Sequence, residues 1–137
     1  METVIPEVLR EWADRSGCRL CVLFGSSATG AQSVKGDVDL AVDFEPLPDA
    51  DRRLRIVGEL DRLVAPRSVD VVFLHPGTDP VLRFEIFKGG GAIFERTPGT
   101  FIRERVRALM LYEDALPFRK ARRERLHRLV TERPVVP

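Results

Sequence analysis

Followed from the N-terminus, the hydrophobic positions of this 137-residue chain change period several times. Over residues 6–16 they fall at Val8, Leu9, Trp12 and Ala13, the spacing of one helical face, with Pro6 suited to a first turn and Gly17 to a stop. Residues 19–24 form a short apolar run that ends at Gly25 and predicts a strand. A short helix is expected over 27–31 and a polar loop over 31–36. Residues 38–44 alternate apolar and acidic side chains, a strand that Pro46 and Pro48 break. Asp49 is placed to cap an amphipathic helix over 49–64, with Leu54, Ile56, Val57, Leu60, Leu63 and Val64 as its apolar stripe and Pro66 beyond its end. Residues 68–74 read as a third strand, and 79–88 as a helix with Pro80 at its first position. Three glycines, Gly89 to Gly91, turn the chain into a short edge strand over 92–95. Residues 100–130 predict one long helix or two split near Pro117, and the last six residues are expected to fray.

Alternation of helices and strands argues for an α/β fold, a small mixed sheet flanked by helices with a helical C-terminus. With no repeat and no long linker, the chain reads as one domain over 1–137, an α/β core at 1–98 and a helical segment at 99–137. Net charge is +1, so no overall field draws the chain to nucleic acid or to a membrane surface. The balance is uneven along the chain, because Arg119, Arg122, Arg123, Arg125 and Arg128 crowd the last helix, where such a run most often marks a solvated face. Cys18 and Cys21 form a single C-x-x-C with no second pair to complete a zinc site, and on a strand they would face opposite ways. Two core thiols in a reducing compartment are the simpler reading. No stretch approaches membrane-spanning length and the N-terminus has no signal-peptide apolar block, so a cytoplasmic location is expected.

Candidate chemistry concentrates between Phe24 and Leu40, in FGSSATGAQSVKGDVDL. A strand leads into Gly25-Ser26, ten residues follow, and then Asp37-x-Asp39 opens the next strand. Two carboxylates two apart on a strand share a face, and like charges that close are costly without a cation between them. Asp70 lies near the start of the third apolar run, where an adjacent strand would bring it to the same end of the sheet. Taken singly, each feature has a bland reading: acidic pairs are common at solvated strand ends, and Gly-Ser is common in turns. In conjunction they suit a loop offering backbone N–H groups to phosphate beside hard oxygen ligands for Mg²⁺.

Gly-Ser, ten residues, Asp-x-Asp resembles the signature of the minimal nucleotidyltransferases of the DNA polymerase β-like superfamily, and in length and spacing their MntA-type antitoxins most of all. The resemblance covers residues 6–95. It implies a polymerase β-like fold, with Gly25 and Ser26 gripping the triphosphate of ATP. It implies that Asp37, Asp39 and Asp70 bind Mg²⁺, two ions in all, with Asp70 helping to deprotonate the attacking hydroxyl. The implied activity is transfer of AMP to a tyrosine of a cognate HEPN-domain toxin of the HepT type, which blocks the toxin's RNase activity. One departure stands out: the pattern GSxARG has an arginine where this chain has Thr29, with Lys35 the nearest following cation.

Two other functions compete with this one. One is an antitoxin that works by contact alone with a vestigial nucleotide site. The other is a nucleotidyltransferase acting on a small molecule, as in aminoglycoside-modifying relatives, although the chain has little room for a second substrate domain. Arg122 and His127 stand at the R-x4-H spacing of HEPN RNases, but Leu129 occupies the place of the following tyrosine, so the pair reads as part of a basic helix and no direct nucleic-acid binding is expected. His75, at a strand end, reads as structural. Phe84, Phe87, Phe94 and Phe101 are expected in the core, and Tyr112 as a half-buried packing residue.

Overall fold

The computed structural model describes residues 4–25 and 36–131. The expected short helix at 27–31, the 31–35 part of the loop and the C-terminal tail lie outside the described residues, as do Ser26, Thr29 and Lys35. Eight elements follow in order: α1 (Val4–Ser16), β1 (Leu20–Phe24), β2 (Val38–Asp43), α2 (Ala50–Val64), β3 (Val69–Leu74), α3 (Pro80–Gly89), β4 (Gly91–Glu95) and α4 (Thr100–Thr131). The strands form one sheet in the order β3-β2-β1-β4. β1 pairs antiparallel with β2 and β4, while β2 and β3 run parallel, joined by the α2 crossover.

Strand alternation divides the core into two layers. Cys21, Leu40 and Val42 face α1 and α2, packing with Leu9, Trp12, Ile56, Leu60 and Val64. Leu20, Val22, Ala41 and Leu74 face α3 and α4, packing with Ile86, Phe87 and Ala108. Trp12 bridges the first layer: its ring meets Phe44 edge-on at 6.1 Å and its Nε1–H donates to Glu59 at 3.1 Å. Leu54 departs from the expected stripe of α2. It is 76% exposed, because the stripe that meets the sheet is Ile56, Leu60 and Val64, and Leu54 falls outside the i, i+4, i+8 row.

Helix ends follow their local chemistry. The Asp49 carboxylate accepts from the Arg52 N–H at 2.8 Å, and Asp79 caps α3 by accepting from the Leu82 N–H at 3.2 Å, with Pro80 in the first turn. The Glu95 carboxylate reaches forward to the N–H groups of Gly99 and Phe101, at 3.1 and 2.9 Å, and so closes the start of α4. α4 runs unbroken through Pro117, one helix where two were an alternative; the proline removes one N–H from the ladder without ending it. Cys18 precedes β1 instead of lying on it, so both thiols enter the same core layer. Both are free, and burial raises the Cys18 thiol to about 11 and Cys21 well above its ordinary value.

Candidate active site

The sheet has two chemically different ends. β1 finishes, and β2 and β3 begin, at the same end, so Gly25, Asp37, Asp39 and Asp70 are gathered there by topology. Asp39 is the hub. Its Cα partner across the antiparallel ladder is Phe24, the residue before Gly25, and its partner across the parallel ladder is Asp70. Alternation puts Asp39 on the face shared by Ala41, Val72 and Leu74, the face covered further along by α3 and α4. Asp37 stands one residue before β2 and is exposed; Asp39 is half-buried and Asp70 exposed.

Electrostatics and shape both mark the cluster. The Asp39 carboxyl is raised above its ordinary value, first by burial and then by the like charges of Asp70 and Asp37. Gly25 has φ +69°, a backbone region that L side chains rarely adopt, and a Cβ there would collide with Oδ2 of Asp39. Glycine is therefore required twice at this position, for the turn and for the carboxylate beneath it. Two hydrogen bonds to backbone carbonyls fix the approach to Asp37: the Val38 N–H donates to the Ser68 carbonyl at 2.8 Å, and the Arg67 side-chain Nε donates to the Gly36 carbonyl at 2.9 Å. Arg67 carried no signal in the sequence, since an arginine between a helix and a strand is ordinary; only the fold shows that it ties the start of β3 to the segment leading into β2.

Among the described residues no group of three His, Cys, Asp or Glu side chains already stands close enough to enclose a metal ion. The chemistry of the donor set nevertheless fits a hard divalent cation: neighbouring carboxylate oxygens, one of them shifted by burial and by its neighbours' charge, under a glycine that leaves the space open.

The opposite end of the sheet carries charge of another kind. Asp43, at the end of β2, bonds Arg19 at 2.7 Å; Arg19 also reaches Glu104 of α4 at 3.2 Å, and Glu104 lies 3.9 Å from Arg83 of α3. Arg83 is 6% exposed, and burial lowers its guanidinium against the pull of Glu104. Burial raises the Asp43 carboxyl although Arg19 opposes it. A cavity of about 370 Å³ opens beside this network, and His75 lines it. His75 is therefore far along β3 from Asp70, and its Nδ1 accepts from the Gly77 N–H at 3.0 Å.

A family model described as "Polymerase beta, Nucleotidyltransferase" matches residues 8–98. No curated protein matches significantly. Among solved structures, the fold matches a chain of a toxin–antitoxin crystal structure with AMP-PNP, with TM-score 0.77 and 21% identity over 89% of this chain and 98% of the other. It matches a structure of the tri-AMPylated Shewanella oneidensis HEPN toxin in complex with MNT antitoxin, with TM-score 0.75 and 19% identity over 93% and 99% of the two chains. A toxin–antitoxin MntA–HepT structure matches with TM-score 0.68 and 21% identity over 92% and 96%. At these identities the likeness establishes a shared fold.

Proposed function

The chain belongs to the polymerase β nucleotidyltransferase family, and from that premise we propose that it is an antitoxin adenylyltransferase, moving AMP from ATP to a tyrosine of a cognate HEPN-domain toxin and so silencing the toxin's RNase activity. The observation that carries this reading is the register pairing of Asp39 with Asp70 beside a glycine whose missing Cβ leaves room for the carboxylate. The neighbours' own descriptions, a toxin bearing AMP and an antitoxin beside it, supply the acceptor class.

In this reading residues 1–98 hold the nucleotide and 99–137 form a helical appendage of the same domain. Gly25 and Ser26 offer backbone N–H groups and a hydroxyl to the triphosphate. Asp37, Asp39 and Asp70 hold Mg²⁺, two ions in the full assembly. When bound, Mg²⁺ supplies the positive charge that offsets the triphosphate and favours the ionised acceptor oxygen. Asp70, the exposed member of the pair, takes the acceptor's proton in this reading. The tyrosine oxygen forms a bond to the α-phosphorus, the bond from that phosphorus to the bridging oxygen breaks, and pyrophosphate leaves. The chain's contribution is position and charge, with no covalent intermediate on the protein. ATP as donor and two reduced thiols are both at home in the cytoplasm, where this reading places the protein.

Intact mass spectrometry of the toxin, incubated with ATP, Mg²⁺ and either wild type or Asp39→Asn, tests it. Increments of one or more AMP units with wild type alone are expected. A toxin that is inhibited without any increment would instead favour an antitoxin acting by contact.

A further inference from the structure

α4, at 32 residues, is the longest element of the described chain. One face of its first half is covered: Phe101 meets Phe87 with ring centroids 5.7 Å apart, Glu104 joins the Arg19–Arg83 network, Ala108 is buried, and Tyr112 stacks on Phe84 at 4.1 Å, while Ile102, Val106 and Met110 on the other face are exposed. Positions 101, 104, 108 and 112 form one helical row, and the row continues as Ala115, Phe118, Arg122, Leu126 and Leu129. In this second half the cover ends. Phe118 is 78% exposed, Leu126 54% and Leu129 77%, and every residue from Lys120 to Thr131 is exposed. An unpacked helical stretch of this length is marginal on its own, so an apolar row on it gains most from a partner.

Charge decides which partner. Residues 119–131 carry six cations (Arg119, Lys120, Arg122, Arg123, Arg125 and Arg128) against one anion, Glu124, in a chain whose net charge is only +1. Arg122 and Arg125 lie on the same face as Phe118 and Leu129, so a second copy docked there would set like charges against each other across the seam. Single-stranded RNA is a poorer match, because stacking needs several aromatic rings and Phe118 is the only one in the stretch. An apolar groove rimmed by carboxylates on a folded protein satisfies both the row and its charge.

We propose that the second half of α4 is the docking element for the protein acceptor, seating Phe118, Leu126 and Leu129 in an acid-rimmed apolar groove of the HEPN-domain toxin. This rests on the adenylyltransferase reading for the partner's identity but not for the surface. It makes capture of the toxin and transfer to it the work of different elements, α4 for one and the β2–β3 end of the sheet for the other.

Calorimetric titration of full-length protein with the catalytically inactive cognate toxin, at low and high salt, is the test. Phe118→Ala/Leu129→Ala and Arg122→Glu/Arg125→Glu are each expected to weaken binding at least tenfold. The charge-reversed variant is expected to lose most of the salt dependence. Both should keep the wild-type circular dichroism and melting midpoint, since the altered side chains are exposed. Asp39→Asn is expected to bind as wild type. Unchanged toxin affinity in both α4 variants would overturn the proposal. So would α4 variants that lose only a labelled single-stranded RNA, or only self-association by light scattering, while still holding the toxin. Tight α4-dependent binding with no AMP increment on the toxin would leave docking standing and defeat the transfer reading; AMP increments with α4-independent binding would do the reverse.

Discussion

At the residue scale, the most telling group is Asp39, because its neighbours work against its charge. Burial, then Asp70, then Asp37 raise its carboxyl in the folded chain. A raised folded value means that the stabilising, protonated form prevails below the ordinary aspartate range near pH ~3.9 and is lost as pH rises through the folded value; at neutral pH the ionised group is a cost. Asp39→Asn is therefore expected to stabilise the metal-free protein at pH 7 by less than about 1 kcal/mol for so accessible a group, read as a higher melting midpoint. The gain should close as pH falls toward ~4, while nucleotidyl transfer is abolished. Melting curves at several pH values check this, and an unchanged or lower midpoint at pH 7 would show that the carboxylate is under no repulsion. Gly25 belongs to the same argument: the sequence marks it as a turn glycine, but that it also clears space for Asp39 is a fact of packing.

At the element scale, helix α2 separates what periodicity reveals from what it leaves open. Leu54 and Leu60 look alike in a pattern of apolar residues, yet one is exposed and the other fully buried. Leu60→Ala is expected to cost about 2–5 kcal/mol and Leu54→Ala less than about 0.5 kcal/mol, a contrast that urea unfolding midpoints measure directly. The start of α4 offers a test with the opposite pH sign from Asp39. Hydrogen bonds from the Phe101 and Gly99 N–H groups hold the Glu95 carboxyl below its ordinary value. Its contribution is thus fully present above the ordinary glutamate range near pH ~4.3 and is lost as pH falls through the lower folded value. Glu95→Gln should lower the melting midpoint at pH 7, and the difference from wild type should vanish in acid; a difference that persists at low pH would show that the cap does not depend on charge. Element boundaries were legible because Pro80, Asp49, Asp79 and Gly17 sit where helices start or stop. The continuity of α4 through Pro117 was not, since a proline's local cost is set against packing that the local sequence does not display.

At the scale of the whole molecule, two charged groupings stand at opposite ends of one sheet, the carboxylates at the start of β2 and β3 and the Arg19–Asp43–Glu104–Arg83 network at their far end. The network joins the residue before β1 to β2, α3 and α4 across long stretches of chain. Glu104→Gln leaves the buried Arg83 with a weaker partner and is expected to destabilise the fold by about 2 kcal/mol, read as a lower urea midpoint, with nucleotide binding at the other end retained below the transition. Asp37, Asp39 and Asp43 show how these groupings part from the sequence: they recur at every second or fourth position on one face, and nothing local separates them. The sheet does, because β3 brings Asp70 beside Asp39 while β1 brings Arg19 to Asp43. By itself the sequence determined the elements from α1 to β4, the mixed α/β class and the Gly-Ser to Asp-x-Asp spacing, because periodicity, caps and turns are properties of neighbours along the chain. Tertiary structure alone decided which leucine of α2 is buried, that both cysteines enter one core layer, the register that sets Asp70 directly beside Asp39, what holds Arg83, and where α4 outruns its cover. Each of those is a contact between residues far apart in sequence, and chain order does not encode such contacts until the strands pair.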